Sequence, residues 1–549
     1  MRSMAVNLVQ IFILLSFSNL VLLGMVETGQ RNYTGYHVIR TFPLDTAESE
    51  QLLSDLDKWA NGSKAAYSVW GSPNEDQLDL AVHPDKVKDV IDLLTAKHIP
   101  SIILISDVKR ILKRSMVSSC LDSAEYEYNR GYDLTDPLKM NWCTYHRLYE
   151  IQDFMDEAAA NNPKKVTLEK IGNSSEGRNI ELLRINTANA SNAIWIEAGM
   201  HGREWIAPAV VTYFIKTLID DYSKHKQIVD AFQWYILPVM NPDGYEYSHV
   251  EDRMWTKTRS DHVSTLGCRG VDPDKNFNFQ WMVGGSQDKC SDNYSGPAPE
   301  TEPEVRAVRD KIMQAAQRNR FIGFFSFHSY AQVWAAPWGW TRAPPRTYPI
   351  LMRVARAARN AIQKVYGTQY ELGTIAGKLG IVSGSSTGWA FGAAKIPFVY
   401  RIELRDEGNY GYALPPEQIL PTAVETFAGL KAAVEEILKI LNEKKSVMLT
   451  LQRARKHDVT ANSRKMVNAR SIARKGDKNE VKPEEDAMGD RKGGKQTHFG
   501  RKNDGQHRRV RKVVSKKNSK ESSNRSILEK LVSRWDFWGN YPPCCQETT

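Results

Sequence analysis

His201 and Glu204 stand three residues apart in the stretch IWIEAGMHGREW, residues 194–205, directly after the apolar run from Ile194 to Ala198. That run reads as a buried strand, Gly199 ends it, and Gly202 and Arg203 fill the turn between the imidazole and the carboxylate. Side chains so placed can reach one ion. A catalytic zinc typically takes three protein ligands and keeps a fourth position open, so a third ligand is expected at the end of another strand. FIGFFSFHSY, residues 321–330, offers it: Phe321 to Phe327 is a second buried-strand run, closed by His328. A lone HxxE is more often just a capping or loop histidine, and the context of this one changes that reading.

HGREWIAPA, NPDGYEYS, the pair Arg253 and Trp255 in RMWTKTRS, FHSYAQVWAAPWGW and IELRDEGNYGYALP occur in this order along the chain. Together, over roughly residues 31–440, they resemble the zinc metallocarboxypeptidases of the carboxypeptidase A type. The resemblance implies a hydrolase acting on peptide or protein C-termini with one Zn2+ as cofactor. It implies that His201, Glu204 and His328 are the zinc ligands and that Asp272 steadies the ring of His201 from behind. Glu403, in IELRD, is then the general base that activates water, and Arg203 is a retained active-site arginine. Taken alone, Glu403 would be read as the partner of Arg401 or Arg405 in a salt bridge. A disulfide between Cys268 and Cys290 also resembles one that the family carries.

The substrate side departs from the family pattern. In GVDPDKNF, Asp274 and Lys275 stand where the family places an Asn-Arg pair that grips the substrate carboxylate. Lysine keeps the charge but loses the planar fork, and Asp274 puts an acceptor where a donor is wanted. Thr256 replaces an arginine that stabilises the developing oxyanion, a loss worth on the order of 10² to 10³ in rate. Gly380 falls where the family has a mobile tyrosine. Tyr330 and Thr387 complete the expected substrate-binding set, and Thr387, at the floor of the side-chain pocket, offers no counter-charge to Lys or Arg. Two readings follow: a carboxypeptidase preferring neutral C-terminal residues, or a weak or inactive zinc-binding homologue acting in extracellular matrix assembly.

Strand-like runs alternate with helical ones over residues 115–441, which argues for an α/β catalytic domain: a mixed sheet, eight-stranded on the family pattern, with helices on both faces and ligands at the carboxyl ends of strands. Residues 31–114 read as a small α+β open sandwich of βαββαβ order, which the resemblance makes an activation segment covering the site. The basic cluster Lys109, Arg110, Lys113 and Arg114 that follows would suit its proteolytic release.

Residues 1–27 read as a secretory signal peptide, so the mature chain is expected to be extracellular with no membrane span. The sequons at Asn32, Asn61, Asn173, Asn189, Asn293 and Asn524 agree with secretion. Cys120 with Cys143 is a plausible second bridge, and the adjacent Cys544 and Cys545 suit bonds to another chain or segment. Residues 443–549 carry 27 Lys and Arg against 13 Asp and Glu, and so account for the whole formal charge of +10. A stretch so polar, residues 442–520, is expected to be disordered. In a secreted protein its partner is more reasonably an anionic matrix or glycan than nucleic acid. Residues 521–549 form a short apolar and aromatic end.

Overall fold

The computed structural model describes residues 31–42, 46–60, 66–71, 77–117, 140–261 and 268–446. The expected signal peptide, Cys120, Cys544, Cys545, the sequons at Asn61 and Asn524 and the chain from residue 447 onward lie outside these residues. Among the described residues no helix is long and apolar enough to cross a membrane.

The N-terminal domain is a four-stranded sheet in the order β2-β3-β1-β4, made by β1 (His37–Thr41), β2 (Tyr67–Gly71), β3 (Asp79–Val82) and β4 (Ser101–Ile105). Helices Thr46–Ala60 and Val87–Ala96 alternate with the strands, as expected. Leu52, Leu56, Val90 and Leu94 from these helices close one core against Ile39 and Leu80. The basic cluster lies on a further helix, Val108–Ser115, whose Ile111 and Leu112 are buried and whose Arg114 pairs with Glu417. The apolar run SIILISDV, residues 101–108, reads from sequence as one strand, but the strand stops at Ile105 and Val108 opens a helix capped by Asp107, whose carboxylate accepts from the Arg110 amide.

The second sheet has eight strands in the order β11-β10-β12-β9-β7-β8-β6-β5. Its centre is β8 (Gln233–Leu237), β7 (Asn192–Glu197), β9 (Arg320–His328) and β12 (Phe398–Glu403), all mutually parallel. The flanks, β5 (Val166–Asn173), β6 (Asn179–Ile185) and β10 (Val333–Ala336), join antiparallel, while the outermost β11 (Glu371–Thr374) pairs parallel to β10. Every residue of β8 and β12 is buried, so both faces of the sheet are covered; an unbroken apolar run is the sequence signature of such strands. Trp195 stacks on Phe324 and Phe325 on Tyr400 across neighbouring strands, Trp334 packs at a tilt against Tyr400, and all five are essentially inaccessible.

The parallel strands end along one edge. Register pairs Glu197 with Ser326 across β7 and β9, and His328 with Glu403 across β9 and β12. At the end of β7 the chain turns at Gly199, with φ of +59°. The following loop is clamped by Asn241, whose Nδ2 donates to the carbonyls of Met200 and Lys257 while its Oδ1 caps the helix Pro242–Val250. This helix, the NPDGYEYS motif, thus anchors the loop that carries His201.

A Cβ on Gly202 would lie 2.3 Å from the Gly244 carbonyl oxygen and 2.9 Å from that of Trp255. Gly202→Ala is therefore expected to push the loop outward at a cost of about 1–3 kcal/mol. The fall should be read as a lower Tm accompanied by weaker zinc binding. A variant with both unchanged would show that the loop has room to spare.

Candidate metal and substrate site

The ligand-capable atoms of His201, Glu204 and His328 lie within 4.8 Å of one another, although Glu204 and His328 are 124 residues apart, and all three side chains are buried. Among the described residues this is the one such grouping of His, Cys, Asp or Glu. The Glu204 carboxylate stands between two ring nitrogens, with Oε1 2.8 Å from Nδ1 of His201 and Oε2 3.1 Å from Nδ1 of His328. The far side of each ring is already engaged. His201 Nε2 faces Asp272 Oδ1 at 3.0 Å, and His328 Nε2 faces Ser326 Oγ at 2.9 Å, while Ser326 donates to Glu197 Oε1 at 3.0 Å.

These contacts test whether a cation fits. If each ring donates from Nε2 to its partner behind, each Nδ1 presents a lone pair to a carboxylate oxygen that is also an acceptor. Acceptor facing acceptor in a buried site requires a proton or a metal between them. Without a metal, the site draws a proton: burial works against the His201 imidazolium, but Glu204 and Asp272 outweigh it and push its pKa up to about 10. Burial also opposes ionisation of Glu204, yet the two imidazoles hold its pKa below the usual carboxylate range. Two nitrogens, one carboxylate oxygen and hydrogen-bonded supports suit zinc.

Glu403 ends β12 beside His328, and its Oε1 accepts from Arg401 Nε at 2.6 Å. Of the two flanking arginines, Arg401 is therefore its partner; Arg405 pairs with Glu425 instead. Arg401 was not among the site residues expected from sequence, although period-two alternation places positions 401 and 403 on one face of a strand. Its Nη1 pairs with Asp274, and the other oxygen of Asp274 accepts from the Ser386 amide at 3.1 Å, next to Thr387. Burial works against the Arg401 guanidinium, but the two carboxylates hold its pKa above the usual range. Lys275, on the short turn Pro273–Lys275, is buried with no ion-pair partner among the described residues.

Arg203 stacks on the Tyr412 ring at 4.1 Å and donates to its hydroxyl at 3.3 Å, with Asp292 at 3.4 Å. Arg253 donates to the carbonyls of Arg203 and Tyr412, which fixes both around the metal loop. Thr256 is buried and lends its carbonyl to the Gly202 amide, while Gly380 has φ of +78° and open space around it. Tyr330 is not free to meet a substrate: its hydroxyl donates to Asp79 of β3 at 2.6 Å, in the N-terminal domain. Cys268 and Cys290 are bonded, with Cα atoms 5.0 Å apart. Cys143 is itself in a disulfide.

Over residues 151–429 the sequence matches the zinc carboxypeptidase family, and over 46–115 it matches the carboxypeptidase activation peptide. This chain belongs to the zinc carboxypeptidases. It is 42% identical to carboxypeptidase B of Astacus astacus over 53% of its own length and 96% of the relative's. To carboxypeptidase A2 of Mus musculus it is 33% identical, over 74% and 95% respectively. Among solved structures, the thrombin activatable fibrinolysis inhibitor is similar with a TM-score of 0.63 and 28% identity, covering 73% of this chain and 98% of the other. Carboxypeptidase A from Helicoverpa armigera gives a TM-score of 0.64 at 25% identity, covering 74% and 98%. A zinc carboxypeptidase with an activation peptide is a zymogen, and the grip of Asp79 on Tyr330 lies between its two parts. The family uses one zinc ion.

Removing the support behind His201 tests the metal site. Asp272→Asn is expected to weaken zinc binding by about 10- to 100-fold, because the ring loses its charged acceptor. Competition against a chromogenic chelator reads this directly; unchanged affinity would take Asp272 out of the metal site.

Proposed function

We propose that this chain is a secreted zinc carboxypeptidase that, once its activation segment is released, removes neutral C-terminal residues from peptides or proteins. The observation that carries the reading is the convergence of His201, Glu204 and His328 at one sheet edge with Glu403 in register beside His328. His201, Glu204 and His328 would hold the zinc, which supplies an acidified water and a polarised carbonyl when bound. Glu403 would take the proton from the attacking water and pass it to the leaving amine. Lys275 would receive the substrate's C-terminal carboxylate, and Arg203 would stand beside the metal loop. Thr387 adds no charge to the pocket, and the nearby Asp274 is already paired with Arg401, which favours neutral over basic side chains. The exposed sequons Asn32, Asn173, Asn189 and Asn293 suit a secretory route, and the basic tail suits anionic matrix or glycans.

A second reading, a zinc-binding homologue with little or no turnover, is favoured by one contact. Oε1 of Glu403 already accepts from Arg401 at 2.6 Å, so half of the carboxylate is committed to an ion pair. Thr256 in place of an oxyanion-stabilising arginine points the same way.

The test is a release assay on the zinc-loaded protein after limited proteolysis has removed the N-terminal domain. Peptides ending in Leu or Phe should lose that residue faster than peptides ending in Lys or Arg. Glu403→Gln should lower kcat by about 10² to 10⁴ with zinc content unchanged. Equal turnover in that variant would remove Glu403 from the chemistry. No release by the parent chain, with zinc bound, would leave the second reading standing.

A further inference from the structure

Asp274 looks at first like a defect, since it places negative charge next to Lys275, where a substrate carboxylate is to land. Its surroundings say otherwise. One carboxylate oxygen is held by the Ser386 amide and the other by the Arg401 guanidinium, so neither faces an approaching anion alone. Lys275 differs from both neighbours. It is 8% exposed, its pKa is lowered by burial, and no carboxylate pairs with it among the described residues. Burial is the largest influence on its ammonium; the charges of Asp272 and Asp274 favour it without forming an ion pair, and that of Arg401 opposes it. A buried cation without a partner is costly to keep, and an incoming carboxylate relieves that cost.

Resting on the carboxypeptidase reading above, we propose that Arg401 is a positioning residue that cancels the charge of Asp274, leaving Lys275 as the receiver of the substrate's C-terminal carboxylate. The same guanidinium fixes Glu403 through Nε. One side chain therefore links the residue that holds the substrate's end to the residue that handles the proton. Arg401 can do this because β12 places positions 401 and 403 on one face, while the pairing of Arg401 with Ser326 and of Glu403 with His328 keeps that face at the metal edge.

The measurement is binding rather than turnover, so it does not depend on activity. Two peptides ending in Leu, one with a free carboxylate and one amidated, are titrated into the zinc-loaded, proteolytically activated protein carrying Glu403→Gln to stop hydrolysis. The ratio of the two Kd values is read. Arg401→Met should lower the preference for the free carboxylate at least about tenfold, because Asp274 then repels it. Adding Asp274→Asn should bring the preference back to within about threefold of the parent, and Lys275→Met should abolish it in every background. Arg401→Lys, which keeps the charge, should retain most of it even if Arg401→Met fails to fold. An unchanged ratio in Arg401→Met, or a double variant no better than the single, overturns the role of the pair while the site reading stands. A parent protein with no preference for the free carboxylate overturns both.

Discussion

The site depends on strand register. Four parallel strands bring their carboxyl ends to one edge, and residues far apart in sequence meet there only because β9 pairs with β7 on one side and β12 on the other. A slip of one residue in β12 would replace Glu403 with Ile402 beside His328 and turn Arg401 to the opposite face. The stacked rings of Trp195, Phe324, Phe325 and Tyr400 make such a slip expensive, since each is fully buried in a fixed shape. The apolar interior of the sheet is what aims the polar groups at its rim.

That rim concentrates charge in a place with little water. Glu204, Asp272, Asp274, Lys275, Arg401 and Glu403 are all nearly inaccessible. Burying an ion costs several kcal/mol unless its partners satisfy it, roughly what folding can spare. All but Lys275 have partners. Glu204 and Asp272 face the imidazoles, and Arg401 lies between Asp274 and Glu403. Two groups stand apart in this bonding: the Nδ1 atoms that face the Glu204 carboxylate, and the ammonium of Lys275. The first suits a cation and the second an anion, as the proposed carboxypeptidase reading requires.

Much of this was legible in the sequence. The apolar run before His201 and the second before His328 gave the two strands, and unbroken hydrophobicity marked them as buried on both faces. HxxE placed two ligand-capable groups, because a short turn leaves little choice of geometry. The Cys268–Cys290 pairing and the small N-terminal sheet with its helices also hold in the described residues. Arg401 was harder. Sequence offered Arg401 and Arg405 equally as partners of Glu403, and only the end of the strand after Glu403 separates them, since Arg405 lies beyond the pleat and turns to Glu425. Val108 was misread because a short amphipathic helix and the end of an apolar strand look alike over a few residues. The engagement of Tyr330 by Asp79 was out of reach, as it is a contact between two domains whose docking no local pattern encodes.

The departures from the family pattern change meaning once they are placed in space. Read one position at a time, Asp274, Lys275 and Thr256 each subtract from carboxylate binding or oxyanion support, and their sum suggests a dead site. In the folded chain, Asp274 is not an isolated negative charge: it is ion-paired with Arg401, a cation that it shares with Glu403 and that position-by-position reading leaves out. Charge at the site is thus rearranged rather than lost. Thr256 has no such partner in view; its buried carbonyl serves the Gly202 amide, and nothing cationic replaces the missing guanidinium through that contact. In the arrangement proposed above, carboxylate-holding charge is kept at positions 275 and 401, whereas position 256 carries a threonine where the family pattern has an arginine.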